Sequence, residues 1–101
     1  MIYYFHSLAS TAHLLAGSYE RALELSERSL RDNVLHTPTL RTLAAAQIEL
    51  GRAREARETV RRLLETEPGL TVGAFRARYP GRDTAEGERF MSALEAAGLP
   101  A

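Results

Sequence analysis

Gly17 and Gly51 lie 34 residues apart in matching frames. The segments Leu14-Leu15-Ala16-Gly17-Ser18-Tyr19-Glu20-Arg21-Ala22 and Ile48-Glu49-Leu50-Gly51-Arg52-Ala53-Arg54-Glu55-Ala56 align without a gap, and the register continues to Leu30 over Leu64. Self-similarity at a fixed period of this size marks a stacked-repeat architecture, in which one unit cannot bury its apolar face without a neighbour. The chain therefore repeats itself, and its fold follows from how the repeats pack.

Spacing and breakers divide the chain into six helices. A first runs from about Ile2 to Leu15 and breaks at Gly17, and Ser18 caps a second from Tyr19 to about Asp32. On the second helix Tyr19, Ala22, Leu23, Ser26 and Leu30 share one face. Thr37 as N-cap and Pro38 at the first helical position open a third helix, through Leu40, Leu43, Ala44, Gln47 and Ile48 to Leu50, and Gly51 ends it. A fourth spans about Ala53 to Thr66, with Ala56, Val60, Leu63 and Leu64 inward and Arg54, Glu58, Arg61, Arg62 and Glu65 outward, and Pro68-Gly69 stops it. Thr71 caps a short fifth helix in which Leu70 and Phe75 have the spacing of a hydrophobic staple, and Pro80-Gly81 cuts it. The sixth starts at Asp83-x-x-Glu86, a variant capping box, and stops at Gly98 with Pro100 beyond. Its core face is Phe90, Met91, Leu94 and Ala97, and Gly87 on the same stripe predicts close approach of a neighbouring helix. No segment alternates as a strand does.

With 101 residues the chain is one small domain. All thirteen basic residues are Arg, balanced by thirteen acidic residues, so the net charge gives no reason to expect a polyanionic partner. The absence of cysteine excludes a disulfide framework, a thiolate metal site and a cysteine nucleophile, and fits the cytoplasm. No apolar run approaches the roughly 20 residues of a membrane span, and Met1-Ile2-Tyr3-Tyr4-Phe5-His6 lacks the basic start of a signal peptide.

The two aligned units resemble tetratricopeptide repeats, through Gly17 and Gly51 at the turn, Ala22 and Ala56 early in the second helix of each unit, Tyr19 in the first unit and Pro68 at the end of the second. Several positions depart from that pattern. His6 and Leu40 stand where an aromatic is usual, Ser26 and Val60 replace another, and Val34 replaces a terminal proline. The resemblance implies an all-α, right-handed superhelix with repeat 1 at about 3–36, repeat 2 at about 37–70, a truncated third helix at 71–80 and a capping helix at 83–98. It further implies binding of a protein or peptide, with the first helix of each unit lining a concave groove. Tyr4, Ser7, Thr11, Arg41, Ala45, Arg76 and Tyr79 would then lie along it.

The tail, Phe75-Arg76-Ala77-Arg78-Tyr79-Pro80, Arg82-Asp83 and Ala96-Ala97-Gly98-Leu99-Pro100, looks like the end of repeat-bearing segments in bacterial nucleotide-cyclase-like and winged-helix regulators. That likeness implies an accessory or sensor segment of a larger protein. Ile2, Tyr3 and Phe5 crowd the other end with apolar surface, so either further repeats precede it or two chains associate there.

Catalysis finds no support. His6 and His13 are two helical turns apart, roughly 10 Å, too far to chelate one metal, and His36 falls in a loop. No nucleophile elbow or phosphate loop occurs, so neither enzyme chemistry nor a cofactor is expected. The arginines of the fourth helix are interleaved with Glu55, Glu58 and Glu65, with Glu58 four before Arg62 as its expected partner, which reads as a solvated face. Arg76, Arg78 and Arg82 beside Phe75 and Tyr79 form a sharper patch of charge and aromatics, a weaker route to nucleic acid.

Overall fold

Three helices end in the same way, and those ends set the architecture. Gly17, Gly51 and Gly98 all have positive φ, at 83°, 77° and 106°. The next amide in each case reaches back five residues, Ser18 N to His13 O, Arg52 N to Gln47 O and Leu99 N to Leu94 O. This is the left-handed glycine closure that satisfies the last carbonyls of a helix and turns the chain sharply. The repeat seen in sequence is thus a repeat of turn geometry.

The computed structural model of the chain describes residues 2–34 and 36–101, with side chains from residue 8 onward. Its elements are α1 (Ile2–Leu15), α2 (Tyr19–Asp32), α3 (Thr37–Glu49), α4 (Ala53–Thr66), α5 (Val72–Arg78) and α6 (Ala85–Ala96). The described residues form an all-α fold with no strand. Equivalent positions of the two units are buried together: Ser10 with Ala44, Ala22 with Ala56, Leu25 with Thr59, Ser26 with Val60 and Ser29 with Leu63. Small side chains where the helices cross allow the backbones to approach closely.

α3 is the centre of the molecule. Every residue from Thr42 to Gln47 is buried, as are Thr39 and Leu40, so the helix is enclosed nearly all round. It packs against α1, α2 and α4, and α6 lies against it as well, reaching α1 and α5 at its flanks. The polar groups that α3 carries inward are paired. Thr42 Oγ1 meets Thr11 Oγ1 of α1 at 2.9 Å, Thr39 Oγ1 meets Ser29 Oγ of α2 at 2.9 Å, and Gln47 Oε1 accepts from Thr59 Oγ1 of α4 at 2.8 Å. Ser26 Oγ is buried without a partner among the described residues.

The helix starts differ from expectation in three places. Ser18 makes no side-chain cap bond, and α3 begins at Thr37 with His36 as its N-cap residue. The start of α6 is capped by Thr84, whose hydroxyl accepts from Gly87 N at 2.9 Å and donates to Gly81 O at 2.7 Å. Asp83 therefore sits one residue too early to cap. Thr71 does cap α5 as expected, accepting from Ala74 N at 3.0 Å. Leu70 and Phe75 of the anticipated staple are both buried.

Gly87 is tight against a loop rather than a helix. A Cβ there would stand 2.0 Å from Gly81 O and 2.8 Å from Gly81 C. Gly87→Ala would gain about 1 kcal/mol of helix propensity and lose more to displaced backbone, typically 1–3 kcal/mol. We expect a lower melting temperature by calorimetry, and an unchanged or raised one would show that the loop yields freely.

His36 Nδ1 lies 2.8 Å from Thr39 Oγ1 and continues the hydroxyl chain to Ser29. Burial, then the charge of Arg41, holds the imidazole below its ordinary pKa. Folding thus favours neutral His36. Its contribution is fully present above the ordinary imidazole pKa of about 6.5 and declines as pH falls below it. Proton NMR titration should give a His36 midpoint below that of an unfolded reference peptide, with His36→Gln flattening the loss of stability on acidification.

Candidate functional site

A concavity arises where α6 crosses α3 without closing against the end of α1. A cleft of about 310 Å³ remains between the C-terminal turn of α1, the start of α2, α3 and the first half of α6. Leu14 and Leu15 form one wall, Phe90 and Ala93 the other, and Ala45 and Glu49 lie on the α3 side. At this size it is at the small end of ligand sites.

One polar cluster is built into the cleft. Arg89 of α6 binds the Glu49 carboxylate of α3 through both Nε and Nη2, and its guanidinium stands 5.7 Å from the centre of the Tyr19 ring. Burial raises the Tyr19 pKa, the Glu49 carboxylate raises it further, and Arg89 offsets part of the effect. Glu49 keeps 16% of its side chain exposed and Arg89 65%, so the carboxylate is enclosed and the guanidinium approaches it from solvent.

The residues assigned by resemblance to a groove meet different fates. Ala45 is fully buried on the α3 side of the cleft. Thr11 is half-buried with its hydroxyl on Thr42. Arg41 is turned into the protein: its guanidinium lies 4.4 Å above the Phe75 ring and 3.4 Å from Glu67 Oε1, with 13% of the side chain exposed. Burial lowers its pKa, Glu67 raises it and Arg78 lowers it. Arg76 is held by Glu88 of α6. Tyr79 packs against Phe75 and edge-on to Phe90, with ring centres at 5.2 and 5.7 Å, and burial raises its pKa. Of these residues Ala45 lines the cleft, while Thr11, Arg41, Arg76 and Tyr79 lie outside its lining. Tyr4, Ser7, Ile2, Tyr3 and Phe5 have side chains outside the described residues.

Each arginine of the patch has a partner within the molecule, although Arg78 shares Glu67 with Arg41 and the partner of Arg82 is a neutral carbonyl. Arg76 pairs with Glu88, Arg78 Nη2 lies 3.2 Å from Glu67 Oε2, and Arg82 donates to Tyr79 O. On α4 the pairing also differs from expectation, since Glu58 binds Arg61 and Arg62 instead donates to Val34 O at 2.9 Å. Among the described residues no three His, Asp or Glu side chains are grouped to hold a metal ion, and no helix is long and apolar enough to cross a membrane.

Glu49, Glu86, Arg89 and Leu15 escaped the sequence reading as site residues. Glu49 had a signal, because it continues the stripe Arg41, Ala45, Glu49 at four-residue spacing. Its partner Arg89 had none, lying 40 residues away.

Arg41 ties the short α5 to α3 by stacking and charge together. Arg41→Leu keeps bulk but leaves Glu67 to Arg78 alone, and hydrogen exchange should show faster opening of α5 amides by roughly tenfold, the equivalent of about 1.4 kcal/mol. Unchanged exchange at Phe75 and Arg76 would mean that α5 is held without Arg41.

No curated protein and no solved structure matches this chain. A family model described as tetratricopeptide repeat matches residues 13–79, about two thirds of the chain, spanning both glycine turns and all of α5. Repeats of this family generally mediate protein–protein interaction. The duplicated helical hairpins, the paired burial of equivalent positions and this match together establish that the chain belongs to the tetratricopeptide repeat family.

Proposed function

We propose that the chain is a protein-interaction module that holds a short segment of a partner in the cleft between α1, α3 and α6. The observation that carries this reading is the cleft itself. It has apolar walls from α1 and α6 and a polar cluster fixed between α3 and α6. Interfaces draw affinity from an apolar side chain seated in such a pocket and orientation from a few fixed polar groups. The role is binding rather than catalysis. The likeness of the tail to the ends of repeat segments in bacterial cyclase-like and winged-helix regulators supports placing the module within a larger cytoplasmic regulator. Self-association through Ile2, Tyr3 and Phe5 is a further role of the same kind.

The test is capture on the immobilised chain from native bacterial lysate, with and without nuclease, beside a Leu15→Glu variant whose helicity is checked by circular dichroism. A discrete protein that survives nuclease and is lost with Leu15→Glu is the expected result. Retention abolished by nuclease would instead favour nucleic acid at Arg76, Arg78 and Arg82 and overturn this reading.

A further inference from the structure

The charges at the mouth of the cleft define the chemistry of its occupant. Three of the cleft residues carry a carboxylate or guanidinium group: Glu49, Glu86 and Arg89. Arg89 is taken up by Glu49 through two hydrogen bonds. Glu86, exposed on the first turn of α6, forms no ion pair among the described residues. The mouth therefore carries two carboxylates against one guanidinium, and that guanidinium is neutralised where it sits.

The approach to the cleft is apolar. Leu8, Ala12 and Leu15 follow one another at four- and three-residue spacing along α1. Leu8 is 58% exposed and Ala12 is exposed, while Leu15 is half-buried at the wall of the cleft. A single exposed leucine is ordinary on a protein surface. A stripe that runs into a pocket closed by Phe90 and Ala93 is a path for an apolar side chain.

Building on the interaction reading above, we infer that the cleft takes a partner segment in which an apolar side chain stands one or two residues from an Arg or Lys. The apolar side chain enters between Leu15 and Phe90. The cation meets the Glu86 carboxylate and competes with Arg89 for Glu49, whose enclosed carboxylate is the fixed half of that pair. An acidic segment of the same shape would face Glu86 with no compensating charge and be rejected.

Fluorescence anisotropy on the whole chain tests this with two labelled peptides, one alternating Leu and Arg, the other alternating Leu and Glu. The Leu/Arg peptide should bind and the Leu/Glu peptide should not. Glu86→Arg should weaken binding of the Leu/Arg peptide roughly fivefold. Arg89→Ala should tighten it by a similar factor, because the Glu49 carboxylate is released to the incoming cation while the apolar packing of α6 on α3 keeps the wall in place. Glu65→Arg on α4, away from the cleft, should leave it unchanged. All three positions are exposed, so the charge series stands even if Leu15→Glu fails to fold. Equal affinity for both peptides, no affinity of the unmodified chain for the Leu/Arg peptide, or indifference to both Glu86→Arg and Arg89→Ala overturns the inference. A captured protein partner insensitive to Glu86→Arg would leave the interaction role intact while removing this chemistry from it, whereas failure to capture any protein removes the role.

Discussion

Enclosure of α3 is the constraint on which the rest of the structure depends. A helix buried nearly all round has no solvated side for its polar groups, so each must find a partner on a neighbour or cost on the order of 1–3 kcal/mol. Thr42, Thr39 and Gln47 resolve this by pairing with α1, α2 and α4 respectively. Arg41 and Glu49 do the same at the rim, toward Phe75 of α5 and Arg89 of α6. Every other helix is thus tied to α3 by a directional contact, which for α1, α2, α4 and α6 adds to direct packing. Apolar burial alone would tolerate rotation of these helices, and the polar ties select one arrangement.

Much of this was legible in the sequence where the controlling interactions are local. The bounds of α1, α2 and α4 follow from Gly17, Gly51 and Pro68-Gly69, because a left-handed turn or a proline stops a helix whatever surrounds it. The start of α6 was displaced by one residue because Asp83 and Thr84 are both good caps, and the second hydrogen bond from Thr84 to Gly81 O decides between them. The role of Gly87 was half visible. Its position on the core stripe announced a close approach, while the loop that makes the approach could not be read from helix periodicity.

The candidate site was less legible, for a physical reason. The groove expected along Arg41, Ala45, Arg76 and Tyr79 is drawn from the first helices of successive units, whereas the cleft takes one wall from the capping helix α6, which lies against α3. What places it there is non-local: Arg89 on Glu49, Arg76 on Glu88 and the contact of Phe75, Tyr79 and Phe90. Such pairs leave no periodic trace. The ion pairs divide accordingly. Those of α2 and α4 join residues three or four apart on an exposed helix, Arg21 and Arg28 with Glu24 and Arg61 with Glu58 and Glu65, and contribute little to tertiary structure. Those of Arg41, Arg76, Arg78 and Arg89 cross between separate segments, and act as clasps.

α5 has only seven residues, fewer than an isolated helix needs, and its first amides are not left to water. Val72 N donates to Pro100 O at 2.7 Å and Gly73 N to Ala101 O at 3.4 Å, so the strand of chain after α6 returns to seal the start of α5. The segment from Thr71 to Ala101 is consequently a closed loop whose two ends hold each other. Its helices have little reason to open one at a time, so the wall that α6 lends to the cleft and the start of α5 are coupled through the chain that follows α6.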